Sequence, residues 1–192
     1  MNHHPVRIAV FASGSGSNAE NIVAYFRANQ CGVEVPLIVC NKADAYVLKR
    51  AERLGVDAVI VGREEFRNSE VVMPLLESYG ITHIVLAGFL LMVPQYLLKA
   101  FPDRIVNIHP SLLPRFGGKG MYGMHIHRAV VEAGEKETGI TIHLVNEHCD
   151  EGRILFQTSV EVLPEDTPDT VAEKIHILEQ RHFPEVIRSV FA

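Results

Sequence analysis

The sequence predicts an α/β fold: a mostly parallel, twisted sheet with helices on both faces and antiparallel strands late in the chain. Three observations carry that expectation. Short apolar runs alternate with amphipathic stretches up to His109, giving the order βαβαβαβαβ. The runs in that part are continuously apolar, as strands covered on both faces are. Beyond His109 the runs alternate apolar with polar residues, the pattern of antiparallel strands.

Taken in order, Val6 to Ala12 (VRIAVFA) is a β-rich run that ends in the loop SGSGSN, and a helical stretch follows from Ser17 to Ala28. Val33 to Cys40 (VEVPLIVC) is the second strand and Asp44 to Leu54 the second helix. Ala58 to Val61 is a short third strand, followed by a helix from Glu64 to Tyr79 on the spacing of its apolar residues. His83 to Ala87 is the fourth strand, closed by Gly88. Pro94 to Phe101 reads as a short helix with proline in its first turn, and Ile105 to Ile108 as the fifth strand. A helix from His127 to Ala133 precedes Ile140 to Val145 and Ile154 to Val162, both expected as antiparallel edge strands. Thr167 to Val190 is the last helix, with Asp166 or Thr167 as N-cap, and Pro184 is expected to break or kink it. The whole reads as one Rossmann-like domain over residues 1–192.

Composition narrows the function. The chain has 192 residues, of which 47% are hydrophobic and 21% charged, which suits a globular domain with a real core. A net charge of -5 supplies no basic stripe for nucleic acid. Cys31, Cys40 and Cys149 are odd in number and lack a CxxC pair, which points to a reducing compartment rather than a disulfide framework. The N-terminus lacks the apolar stretch of a signal peptide, and no apolar run reaches the roughly 18 residues of a membrane span, so a cytoplasmic location is expected. His3 and His4 are expected to form a mobile tail.

In open parallel sheets, ligands bind outside the carboxyl ends of the strands. That rule selects Ser13 to Asn18, Gly88 to Val93, Asn107 and His109. Gly14-Ser15-Gly16-Ser17-Asn18 joins a strand to a helix, where glycines bring free N–H groups to an anion and the helix N-terminus adds partial positive charge. A dinucleotide site would want a third glycine and an acidic residue at the end of strand two, whereas this chain has Asn18 and, after strand two, Asn41, and both departures disfavour NAD. No GKS or GKT follows, which excludes a P-loop, and a phosphate monoester fits better. Asn107 and His109 are two apart in a strand and so face one side. An amide can donate to a developing oxyanion and an imidazole can move a proton near neutral pH, although an isolated NxH is more often a satisfied polar pair. Asp150 falls in the turn between the two late strands. A carboxylate near His109 would stabilise its protonated form, whereas an ordinary turn aspartate would do nothing of the kind.

The motifs GSGSN, LAGFL, VNIHPSLLP, HIHRAV, GITIHLV and DEG occur in order across nearly the whole chain. Together they resemble the phosphoribosylglycinamide formyltransferases, the glycinamide ribonucleotide transformylases of the formyltransferase family, with Asn107-Ile108-His109-Pro110-Ser111-Leu112-Leu113-Pro114 as the strongest match. The resemblance implies the formyltransferase fold and a catalytic trio of Asn107, His109 and Asp150. It implies that Gly16, Ser17 and Asn18 hold the ribonucleotide phosphate, that Glu179 contacts the ribose, and that His176 is a basic phosphate contact. Leu90, Leu91, Met92 and Val93 match a segment that packs on the folate pterin. Asn146, Glu147, His148, Cys149 and Asp150 match a loop that closes over it, and Asn107 adjoins the folate as well. On this basis about 1–105 would be the phosphate-binding half and about 106–192 the catalytic and folate-binding half. The implied co-substrate is 10-formyltetrahydrofolate, with small-molecule partners, no nucleic acid, no membrane, no metal, and a monomer or homodimer.

Departures are visible. Leu91 stands where some relatives carry arginine, Arg63 or Arg67 matches a contact to the folate glutamate tail only poorly, and Phe116 to Gly123 (FGGKGMYG) is a longer loop that reads as a flexible flap. His125 and His127 would lie on one side of an extended segment, too few for a metal site. His143 either supports Asp150 or is a packed core histidine. The alternatives are an enzyme acting on methionyl-tRNA, a formyltetrahydrofolate hydrolase, or a nucleotide-binding module without catalysis. The first two would be expected to carry a further domain, and the third would not need Asn107, His109 and Asp150 together.

Overall fold

The computed structural model describes residues 5–192, so His3 and His4 lie outside the described residues. The chain runs β1 (Val6–Ala12), α1 (Ser17–Asn29), β2 (Val33–Cys40), α2 (Val47–Leu54), β3 (Asp57–Ile60), α3 (Arg63–Arg67), α4 (Ser69–Ser78), β4 (His83–Leu86), α5 (Gln95–Ala100), β5 (Ile105–His109), α6 (Met124–Glu132), β6 (Glu137–Leu144), β7 (Ile154–Glu161) and α7 (Pro168–Phe191). The seven strands form a sheet of order β3-β2-β1-β4-β5-β6-β7. β3 through β5 pair in parallel, and β6 and β7 are antiparallel additions to β5.

Two apolar layers cover the sheet. On one face Ile8, Val10, Ile38, Val106 and Ile142 pack under α1, α2 and α7. On the other Ala9, Phe11, Leu37, Ile84 and Ile105 pack under α3, α4 and α5. Because strand side chains alternate, Asn107 and His109 on β5 and Thr141 and His143 on β6 share the second face, beyond the reach of α5. Loops rather than a helix cover this polar stripe. Thr141 Oγ1 donates to Ser111 O (2.7 Å) and accepts from Leu113 N–H (3.0 Å), and Gln157 Nε2 on β7 donates to Leu113 O (2.9 Å), which pins the chain after β5 onto the sheet.

Several expectations are corrected. The helix expected from Glu64 to Tyr79 is two helices, because Asn68 takes extended dihedrals and its side chain accepts from Glu70 N–H at 3.0 Å, capping α4. The second helix begins at Val47 instead of Asp44; Val47 is fully buried and its N–H donates to Gly14 O at 3.1 Å. Pro94 is the N-cap of α5, one residue before its first turn. β6 is interior, paired on both sides and almost wholly buried, so β7 alone is the antiparallel edge. Pro184 does not break α7, which is capped by Thr167 and continues to Phe191. Proline at 184 removes the donor that would reach Gln180 O, and Asn21 Nδ2 of α1 supplies that carbonyl at 2.7 Å instead. Pro184 itself lies in the core with Phe183 and Ile187. Among the described residues no helix is long and apolar enough to cross a membrane, and all three cysteines are free.

Candidate active site

A cavity of about 860 Å³ lies over the polar stripe and the carboxyl ends of β1, β4 and β5. The loop after β1 forms one end. Gly16 has φ +77°, and a Cβ there would sit 2.4 Å from Val47 Cγ2 and 2.9 Å from Val47 Cα, so only glycine lets this loop lie on α2. Ser13 Oγ accepts from Leu90 N–H (2.9 Å) and donates to Asn41 Oδ1 (2.5 Å), tying the loops after β1, β2 and β4 together. Asn18, in the first turn of α1, donates through Nδ2 to Glu179 Oε2 (2.9 Å) and accepts from Gln180 Nε2 (2.9 Å). His176 Nδ1 lies 3.8 Å from the same Glu179 oxygen. The Glu179 carboxylate raises the pKa of His176 against the opposing effects of burial and Arg50. This end therefore combines free loop N–H groups, a helix N-terminus and an imidazole biased toward its cation, a set that suits a phosphate.

At the other end His109 and Asp150 come into contact, and Asn107 lines the same cavity. His109 Nδ1 lies 3.5 Å from Asp150 Oδ2, with both side chains 10% exposed or less. His109 Nε2 donates to Phe116 O at 2.8 Å. Both ring nitrogens thus face oxygen acceptors, which the doubly protonated ring satisfies. Asp150 Oδ2 also accepts from Gly118 N–H at 2.9 Å. Burial pushes the Asp150 carboxyl up, but contact with His143, the charge of His109 and the Gly118 N–H outweigh it and hold the pKa at about 2. Phe116 and Asp150 both have positive φ, +54° and +59°, so the backbone is strained at the two residues that touch His109. Next to Asp150, the Cys149 thiol is pushed up to about 11 by burial and the Asp150 charge, which makes it a poor nucleophile.

His143 is both packed and connected. It is 2% exposed, its Nδ1 donates to Leu144 O (2.9 Å), and its Nε2 faces Asn107 Nδ2 at 3.2 Å and Asp150 Oδ1 at 3.7 Å. It therefore stands between two members of the trio.

Gly16, Ser17, Asn18, His176 and Glu179 line the cavity, as do Leu90, Leu91, Met92 and Val93. Leu90 and Met92 are 47% and 61% exposed, an apolar shelf open to a ligand. Of the 146–150 loop, Asn146, His148, Cys149 and Asp150 line the cavity. Glu147 does not; its side chain is 67% exposed and pairs with His148 at 3.7 Å on the outside of the loop. Arg63 and Arg67 lie away from the cavity on α3, where Arg67 bonds Glu64. His125 and His127 sit in the first turn of α6, not on an extended segment, so they point in different directions. Among the described residues no group of three or more His, Cys, Asp or Glu side chains is arranged to hold a metal ion. Sequence reasoning missed Gly118 to Gly123 of the flap, Ala172 and Ile175 of α7, and buried His127, whose helix starts three residues earlier than its periodicity indicated.

The family model described as Formyl transferase matches residues 6–187. The chain is 40% identical to a chloroplastic phosphoribosylglycinamide formyltransferase of Arabidopsis thaliana, over 98% of this chain and 67% of the relative. It is 35% identical to the phosphoribosylglycinamide formyltransferase of Bacillus subtilis (strain 168), over 96% of this chain and 94% of the relative. A second chloroplastic plant relative is spanned over 60% of its length. Among solved structures, glycinamide ribonucleotide transformylase 1 from Geobacillus kaustophilus superposes with a TM-score of 0.89 at 35% identity, covering 98% of this chain and 100% of that one.

Proposed function

The chain belongs to the formyl transferase family, and from that membership we propose that it moves the formyl group of 10-formyltetrahydrofolate to the amine of glycinamide ribonucleotide, giving formylglycinamide ribonucleotide and tetrahydrofolate in de novo purine synthesis. The observation that carries this reading is the convergence of Asn107, His109 and Asp150, from β5 and a distant turn, on a cavity whose far end is built for a phosphate.

In this reading the phosphate sits on the N–H groups of Gly16, Ser17 and Asn18, with His176 beside it, and Glu179 accepts from the ribose. The pterin packs between the Leu90 to Val93 shelf and the 146–150 loop, in which Glu147 can contribute through its backbone alone. The substrate amine attacks the formyl carbon, and the carbonyl oxygen becomes an oxyanion. Asn107 donates an amide hydrogen to that oxygen. His109 donates through Nε2, the atom that now reaches Phe116 O, so the 116–123 flap must shift for the oxyanion to take the carbonyl's place. Asp150, held ionised, keeps the imidazolium paired through Nδ1. The carbon–N10 bond then breaks, and the proton lost by the amine ends on N10, so that no atom is left over.

Location in the cytoplasm, supported by the unpaired cysteines, is part of the same proposal. The test is incubation of the protein with 10-formyltetrahydrofolate alone, with glycinamide ribonucleotide and with methionyl-tRNA. Turnover confined to the ribonucleotide supports the reading. Deformylation without an acceptor, transfer to tRNA, or no reaction in any arm overturns it.

A further inference from the structure

α6 presents to the cavity a buried group that the mechanism above leaves unused. His127 is 6% exposed and lines the cavity, and its Nδ1 has no hydrogen-bond partner among the described residues. An N–H buried without an acceptor is rarer than an unmet lone pair. The ring is therefore best accommodated with its proton on Nε2 and a bare lone pair at Nδ1. Burial favours the neutral ring, against the pull of the Glu179 charge.

Glu179 is itself half engaged. Its side chain is 15% exposed, Oε2 takes the Asn18 amide at 2.9 Å and the more distant His176, and Oε1 accepts no hydrogen bond among the described residues. α6 packs on α7, so His127 and Glu179 line the same cavity, and a carboxylate with a free oxygen sharing a wall with a neutral N–H donor matches a sugar hydroxyl, which donates its proton to the one and accepts from the other. A carboxylate alone would accept from any donor; the added N–H demands a group that also accepts.

Resting on the proposed ribonucleotide reaction, we propose that His127 is a ribose-binding residue, its Nε2–H donating to the oxygen of a ribose hydroxyl whose proton is held by Glu179. His127 thereby reads the hydroxyl as an acceptor, which Glu179 cannot do.

The test compares glycinamide ribonucleotide with its 2′-deoxy and 3′-deoxy analogues in the wild type, His127→Ala and His127→Gln. His127→Ala should raise KM for the ribonucleotide by about five- to tenfold, the size of one neutral hydrogen bond. It should shrink the preference over one deoxy analogue by the same factor and leave KM for 10-formyltetrahydrofolate in place. His127→Gln, whose amide N–H falls near the Nε2 position, should recover most of that preference. Equal discrimination against both analogues in the wild type and His127→Ala overturns the proposal, as does a parallel rise in both KM values. If His127→Ala fails to fold, the ring ¹⁵N signals of the wild type decide: the Nε2 signal should move on binding the ribonucleotide and stay when the discriminating deoxy analogue binds, and an unmoved signal overturns the proposal. Absence of wild-type turnover would instead sink the proposed function, so the two failures are distinct.

Discussion

Replacing Asp150 with asparagine keeps the shape of the side chain and removes its charge. In the folded protein that charge lies 3.5 Å from His109 Nδ1, with both groups nearly enclosed. At an effective dielectric of about 20, two unit charges at this distance attract by about 5 kcal/mol. Desolvation and the hydrogen bond that asparagine retains to Gly118 N–H take back part of this, so about 3 kcal/mol of support for the imidazolium should vanish. If the imidazolium stabilises the oxyanion, kcat falls by about 10²-fold, with a small effect on KM for the ribonucleotide. The assay is the initial rate of formyl-folate consumption at saturating acceptor, on protein shown by a thermal melt at pH 7 to be fully folded at the assay temperature. The same substitution carries a stability signature. The Asp150 pKa is depressed from 3.8 to about 2, so its contribution is complete above pH 4 and is lost as pH falls toward 2. That contribution is about 2 kcal/mol. The wild type should therefore lose melting temperature between pH 4 and 2.5 faster than Asp150→Asn does. A folded Asp150→Asn protein with kcat within tenfold of the wild type would refute the electrostatic argument.

Other substitutions test other parts of the site. Asn107→Ala should cost about 10²–10³ in kcat through loss of one oxyanion donor, measured in the same assay. Gly16→Ala forces a Cβ into Val47 at a left-handed backbone position; we expect a loss of about 2–3 kcal/mol in denaturant melts and a raised KM for the ribonucleotide rather than for the folate. His83 is held down to about 4 by burial and by Arg104, so it stays neutral in the fold while the unfolded chain charges below pH 6.5. Stability should consequently decline as pH drops from 6.5 to 4, and His83→Gln should flatten that decline in thermal melts.

The parallel part of the fold was legible because buried strands announce themselves as apolar runs: β1 and β2 match their expected bounds residue for residue. Errors gathered where one side chain decides the local path. Asn68 reads as one polar residue inside a long helical period, yet its amide caps a new helix. Pro184 reads as a breaker because the sequence does not reveal that Asn21, 163 positions earlier, will occupy the vacated carbonyl. β6 reads as an edge because pairing on its second side is a tertiary fact. Within the site, the period of two placed Asn107 and His109 on one face, and the shared motifs implied Asp150. What no spacing could supply was the occupancy of His109 Nε2 by Phe116 O, or the position of His143 between Asn107 and Asp150, since both depend on how a loop folds back over the sheet.

The polar stripe stands on strands, while its covering is made of loops. This divides the molecule into a part that resists editing and a part that invites it. Inserting one residue early in β5 would turn Asn107 and His109 to the opposite side of the sheet, under α7, and no nearby adjustment could restore them. Residues 119–123, which hold no member of the trio and line the cavity, obey no such periodicity, so lengthening or trimming them reshapes the entrance while the reactive groups keep their places. Retargeting the enzyme to a bulkier acceptor is therefore a matter of loop grafting, with the strands left as the fixed chassis.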